Sequence, residues 1–350
     1  MFDPIKASKE IKDSYIDYIT TTFDMADTDY EREFRKELQT DGMVASGPFL
    51  DIGGSYETGH TLRELIQAQK ASILFENLEP VAEKERELKL DRPLYQHQET
   101  AMLKADKGEN LVVTTGTGSG KTESFLLPII NHLLREQEAG TLSAGVRAII
   151  IYPMNALAND QMKRMRALFK NYPQICYGVY NGNTEHTQSK ALAEYHRTYH
   201  DEAGEPIDPA PNEIISREVM QERPPHILIT NYSMLEYMML RPKDDAVFSG
   251  AKLKFIVLDE AHIYKGATGM ETSLLMRRLR ARISEPDSVQ YILTSATLGG
   301  PDADGDILSF AEKLCGVAFQ RSGIIRSTEK RPAMEDFLDF APALFEELQR

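Results

Sequence analysis

The chain has 350 residues, 41% hydrophobic and 27% charged, the balance of a globular protein of about two domains. Its 54 acidic residues outnumber 40 basic ones, and the net charge of -14 excludes a binder that holds nucleic acid by bulk positive charge. No apolar run reaches the ~18 residues of a membrane-spanning helix, and the opening MFDPIKASKEIKDSY lacks the basic start and apolar stretch of a secretory leader.

Residues 1–89 read as a helical, acidic accessory domain. Ile11, Tyr15, Ile16, Tyr18 and Ile19 have partly helical spacing, and Asp41-Gly42, Gly47-Pro48 and Gly53-Gly54 then mark a loop. A second helix is expected from Leu62 to Phe75, with Leu62, Leu65, Ile66 and Ile73 as its apolar face. Residues 79–92 are charged and read as a linker or a solvated helix. From about residue 93 short apolar runs alternate with longer helical patterns. The runs are Leu111–Val113, Ala148–Tyr152, Ile175–Tyr180, His226–Thr230, Phe255–Leu258 and Tyr291–Thr294. They do not alternate polar with apolar, so they suit strands covered on both faces. The fold expected over 90–326 is α/β, a mainly parallel sheet flanked by helices. Residues 183–222, rich in Glu and Pro, read as a long polar surface insertion. Cys176 and Cys315, the only cysteines, make neither a disulfide framework nor a zinc site, and a cytoplasmic protein is the expectation.

The segment from Asn110 to Thr122 is a strand, a glycine-rich turn and a helix start in register. Gly116, Gly118 and Gly120 let the backbone curl so that several N–H groups point at one phosphate. The turn also includes Thr115, Thr117 and Ser119. Lys121 would reach the β- and γ-phosphates of ATP, and the Thr122 hydroxyl would ligate Mg²⁺. Thr115 stands where the strict pattern has glycine. Pro128 is expected to kink the helix after the turn. A second apolar strand, Phe255–Leu258, ends in two carboxylates. Asp259 would hold Mg²⁺, and Glu260 would polarise the attacking water as general base.

Together, Thr115-Gly-Thr-Gly-Ser-Gly-Lys-Thr122, Asp259-Glu-Ala-His262 and Ser295-Ala-Thr297 resemble superfamily-two helicases of the DEAD/DEAH kind. Tyr95-Gln-His-Gln98 looks like the adenine-sensing glutamine motif, with Gln98 as the contact. Tyr152-Pro-Met-Asn-Ala-Leu-Ala-Asn-Asp-Gln161 and Tyr180-Asn-Gly-Asn183 resemble motifs that grip a nucleic-acid backbone. Thr230-Asn-Tyr-Ser-Met234 stands where the next one belongs. The resemblance covers roughly residues 92–315. It implies a RecA-like domain with nucleic-acid contacts at Pro153, Asn155, Gly182, Thr230 and Asn231. It also implies a relay from His262 through Ser295 and Thr297. The stretch from His262 to Leu279 is similar to the Mrf-type DNA helicases, a subgroup that includes the large helicases of phage-defence systems such as DISARM and Druantia, and Gly47-Pro-Phe-Leu50 is similar to the defence members. That likeness implies DNA as substrate, 3′-to-5′ movement, and a role in defence or repair with other defence subunits as partners.

Such motors carry a second RecA-like domain with arginine fingers, which contribute about 10³–10⁵ in rate. The chain therefore reads as the front half of a longer motor, with 327–350 as a tail toward that domain and slow turnover alone. Arg321 and Arg326 are expected in the tail. Two patterns stay open. Arg277, Arg278, Arg280 and Arg282 read either as a solvated face or as a DNA or partner surface. His196 and His200, at i and i+4, could hold a metal. The rivals to a helicase are a double-strand translocase that does not separate strands and a scaffold in which nucleotide is only a structural ligand.

Overall fold

The computed structural model describes residues 3–23, 25–40, 42–46, 55–78, 88–116, 118–201, 204–296 and 301–330. The chain divides into two compact units, 1–54 and 55–350. In the first, α1 (Pro4–Thr22) and α2 (Thr28–Gln39) start at aspartate caps. Asp3 accepts the amides of Ile5 and Lys6, and Asp27 those of Asp29 and Tyr30. Ile16 is buried and Ile19 half-buried, but Ile11, Tyr15 and Tyr18 are more than half exposed, so the expected apolar stripe narrows to two residues.

The second unit begins before the expected boundary at residue 89. β1 (Thr58–Thr61) pairs antiparallel with β2 (Pro93–Tyr95). Leu62, Leu65 and Phe75 enter the same core as Leu111 and Val113. That shared core is why 55–78 belongs with the sheet rather than with α1 and α2. The helix expected over 62–75 is broken. α3 (Leu62–Gln67) stops before Gln69, whose φ of 58° turns the chain left-handed, and a separate 3₁₀ turn spans Ile73–Asn77. Gly47–Leu50 and residues 79–87 lie outside the described residues.

Eight parallel strands form the main sheet. They are β3 (Leu111–Thr114), β4 (Ala148–Ile151), β5 (Tyr177–Val179), β6 (Glu213–Ile214), β7 (Ile227–Thr230), β8 (Phe255–Leu258), β9 (Gln290–Ser295) and β10 (Ile324–Arg326). Their order is β10-β3-β9-β8-β4-β7-β5-β6. Six of them fall on the apolar runs read from the sequence. Successive residues face opposite cores. Val113, Ile150, Ile229 and Val257 pack on one side, against α4 (Gln96–Asp106), α5 (Lys121–Glu138) and α6 (Asn155–Phe169). Val112, Ile149, Leu228 and Ile256 pack on the other, where α9 (Tyr232–Leu240), α11 (Gly266–Arg282) and α12 (Asp304–Cys315) lie. α5 runs through Pro128 as one element. No helix among the described residues is long and apolar enough to cross a membrane.

The region 183–222 is more built than its composition suggests. It holds α7 (Gln188–Thr198), β6 and α8 (Arg217–Glu222). Its anchor is Glu213, buried on the edge strand. Arg166 of α6 donates to both its oxygens at 2.8 and 2.7 Å, and the Tyr195 hydroxyl donates at 3.1 Å. A buried carboxylate is tolerated when paired in this way. α10 (Asp245–Phe248) completes the helices.

Candidate active site at adjacent strand tips

β3, β9 and β8 are neighbours, with Thr114 level with Ser295 and Leu258 level with Leu293. Parallel strands in register end together, so the turns leaving them meet. In the phosphate loop the Thr115 amide donates to the Ser295 carbonyl at 3.2 Å. Ser119 donates its hydroxyl to Thr115 Oγ1 at 2.7 Å, which gives the non-glycine at 115 a bracing function. Gly118 and Gly120 both have φ +76°, and a Cβ on Gly120 would stand 2.4 Å from Gln98 Nε2. Gly120 opens α5, so Lys121 and Thr122 occupy its first turn, where helix amides point toward an anion. Thr117 lies outside the described residues, as does Thr297.

β8 delivers the acidic pair. Glu260 has φ 48° and ψ 48°, a left-handed conformation uncommon for a side-chain-bearing residue and typical of sites where surrounding bonds hold it. The holder is Thr294 of β9, fully buried. Its hydroxyl accepts from the Glu260 amide at 3.2 Å and donates to Asp259 Oδ1. Lys121 Nζ lies 3.0 Å from Glu260 Oε1. Burial pushes the Asp259 carboxyl above its ordinary range, and the Glu260 charge adds to that rise. The Thr294 hydroxyl and the Lys121 charge oppose it. Glu260 Oε2 accepts no hydrogen bond; it meets His262 Nδ1 at 3.3 Å without the alignment of one. His262 Nδ1 also stands 3.2 Å from Ser295 Oγ.

These residues fit a nucleotide with its metal. Among the described residues no cluster of three or more His, Cys, Asp or Glu could hold a metal ion by itself. Asp259 and Thr122 offer two oxygens, which suits Mg²⁺, a cation that keeps several waters and takes phosphate oxygens. The half-buried Asp259 anion is the group a cation would relieve. Gln98 is engaged at both ends of its amide. It accepts from the Tyr95 N–H at 2.9 Å and donates to the Gly120 carbonyl at 3.1 Å, so it braces the loop. His196 Nε2 lies 2.7 Å from Asp208 Oδ1, a surface hydrogen bond in place of the metal pair considered with His200.

β4, β7 and β5 make the other half of the same edge. Asn155 accepts from Asn231 Nδ2 at 2.8 Å, and Asn231 Oδ1 caps α9 through the Met234 amide at 2.8 Å. Pro153 is half-buried, and Gly182 is exposed with open space around it. Thr230 differs from expectation. It is buried, and its hydroxyl donates to the Tyr180 carbonyl at 2.7 Å, so it ties two strand ends beneath the rim. Sequence reasoning missed Arg217. Buried in α8, it donates to the Asn181 carbonyl at 2.9 Å and lies over the Tyr180 ring at 5.3 Å. No spacing signal marks it, because its partners precede it by a whole insertion.

The α11 arginines are held within the domain. Arg278 pairs with Glu236 and Arg280 with Asp287, each at 2.6 Å, Arg282 donates to the Met239 carbonyl at 2.9 Å, and Arg277 to the Lys313 carbonyl at 3.2 Å. Arg326 is no tail residue. It ends β10 level with Thr114, and with Arg321 it binds Asp304.

A parallel sheet whose neighbouring tips carry a glycine loop with Lys-Thr and an Asp-Glu pair defines a RecA-like P-loop nucleotide-binding domain. The chain belongs to the DEAD/DEAH box helicase family, whose pattern matches residues 95–203 and 204–304. It is 32% identical to the Druantia protein DruE of Escherichia coli (strain UMEA 4076-1), over 93% of this chain and 22% of that protein. It is 31% identical to the uncharacterized ATP-dependent helicase YprA of Bacillus subtilis (strain 168), over 62% of this chain and 24% of YprA. Two solved structures share the fold. The DUF1998 helicase MrfA bound to DNA gives a TM-score of 0.54 at 24% identity, covering 78% of this chain and 29% of that one. The DEAD-box helicase Mss116 bound to ssRNA and UDP-BeF gives 0.56 at 17%, covering 79% and 47%. The chain thus spans 22% to 24% of the length of these curated relatives.

Proposed function

We propose that the chain is the ATP-binding half of an ATP-dependent DNA helicase that moves 3′ to 5′ and serves in phage defence. The observation that carries the reading is the 3.0 Å contact between Lys121 Nζ and Glu260 Oε1. It joins the phosphate loop and the acidic pair across one strand. Lys121 and the loop amides would bind the triphosphate, and Gln98 braces that loop. Asp259 and Thr122 would hold Mg²⁺, which would offset charge developing on the phosphates. Glu260 orients and deprotonates the attacking water through Oε2, the oxygen with no hydrogen-bond donor. His262 and Ser295 link that carboxylate to the tip of β9. From there the rim of Pro153, Asn155, Gly182 and Asn231 presents amides and backbone groups, which suits backbone contact by a protein of net charge -14. DNA is favoured by the MrfA complex, and defence by the likeness to DruE.

Glu260→Gln in the full-length protein tests the site. Nucleotide binding should persist while turnover falls at least ~10²-fold, the contribution of a general base. Unchanged turnover would remove Glu260 from that role. A forked DNA with a 3′ tail should be opened and one with only a 5′ tail left paired. Movement without strand release would favour a translocase, and a preference for RNA would overturn the DNA assignment.

A further inference from the structure

A segment upstream of the glutamine motif reaches the phosphate loop. The Tyr56 hydroxyl lies 3.1 Å from where a Cβ on Gly116 would stand. Its ring meets Tyr95 edge-on at 5.5 Å and His97 edge-on at 5.9 Å, while Tyr95 and His97 stack at 5.6 Å. His97 is 2% exposed, and its Nε2 is 2.9 Å from the Ser119 carbonyl. Burial lowers the pKa of this imidazole, so near neutral pH it is uncharged and gives that carbonyl a single N–H. Two backbone ladders fix the segment. The Gln96 amide donates to the Glu57 carbonyl at 2.9 Å, and the Glu57 amide to the Thr328 carbonyl at 2.8 Å. The Lys330 amide donates to the Ser55 carbonyl at 2.6 Å. Glu99 accepts from the His60 amide at 2.7 Å and holds the strand from below.

We propose that Tyr56 and His97 are positioning residues of the phosphate loop, and that residues 55–57 belong to the nucleotide site. The imidazole sets the Ser119 carbonyl, and the tyrosine packs on the first glycine, so neither side of the loop is free to relax. Because 328–330 hydrogen-bonds to 55–57, loop closure on a nucleotide is felt by the chain as it leaves the sheet. This rests on the ATP-site reading above.

The test is titration of a fluorescent ATP analogue with Mg²⁺ into the full chain, with Lys121→Ala as control. Tyr56→Leu and His97→Leu should each weaken binding about fivefold or more, the value of one hydrogen bond or packed contact. His97→Gln, which restores an N–H donor, should recover most of the loss. In the wild type, nucleotide should slow hydrogen exchange at amides 328–330, and Tyr56→Leu should abolish that response. A merely structural role would change neither the rescue nor the exchange response. If Lys121→Ala abolishes binding but Tyr56→Leu and His97→Leu stay within about twofold of wild type, well under the effect of one lost hydrogen bond, the proposal fails alone. If Lys121→Ala changes nothing, the site reading fails and takes this one with it. Should His97→Leu not fold, the half-buried Tyr56 decides.

Discussion

Replacing Thr294 with valine keeps the β-branched shape of a buried strand residue and removes one hydroxyl. That hydroxyl donates to the Asp259 carboxylate and accepts from the Glu260 amide at 3.2 Å. A hydrogen bond to a charged group contributes about 1.5–3 kcal/mol, and an orphaned amide costs about 1 kcal/mol more. Thr294→Val should therefore lower stability by roughly 3 kcal/mol at neutral pH. The bond favours the charged form of Asp259 and so holds its raised carboxyl pKa down. Without it the pKa climbs further. The loss should be full above the folded pKa of Asp259 and shrink as pH falls through it, because a protonated carboxyl needs a donor less. Urea unfolding of both proteins near pH 8 and near pH 5 measures this. A difference under ~0.5 kcal/mol near pH 8, or one that grows as the pH falls, would refute the reasoning.

Asp259→Asn tests the same burial from the other side. The raised carboxyl pKa means that the charged form is penalised in the folded state, so the penalty is present above that pKa and lost as pH falls through it. The variant should melt higher than wild type at neutral pH, with the gap closing on acidification, while Mg²⁺-dependent nucleotide binding is lost. A lower melting temperature at neutral pH contradicts this. Arg217→Gln should loosen the Asn181–Gly182 turn and weaken DNA binding about fivefold, with the dependence of affinity on salt unchanged, because Arg217 is buried and braces carbonyls. A salt slope reduced by about one would show instead that Arg217 touches phosphate directly.

The phosphate loop and the acidic pair were legible because each is continuous in the chain and dictated locally. Glycines permit φ +76° at Gly118 and Gly120, and an apolar strand places Asp259 and Glu260 at its end. The α11 arginines were left open because charge spacing on a helix does not show what faces it. Gln98 carries a ligand role by resemblance alone, and only the fold shows that its amide spans Tyr95 and Gly120. The built insertion was unreadable for a similar reason: Glu213 looks like one more surface acid until Arg166 and Tyr195 close on it.

By itself the sequence determined six of the eight parallel strands and the glycine-rich turn that opens α5, since apolar runs and glycine positions act over a few neighbouring residues. Only the tertiary structure decided that β9 sits between β3 and β8, with β4, β7 and β5 beyond. That order brings Thr294, Ser295 and Lys121 to the acidic pair and sends Asn155 and Asn231 to the other half of the edge. Parallel strands choose their neighbours through long crossovers and shared cores, and those interactions join residues that no local pattern connects.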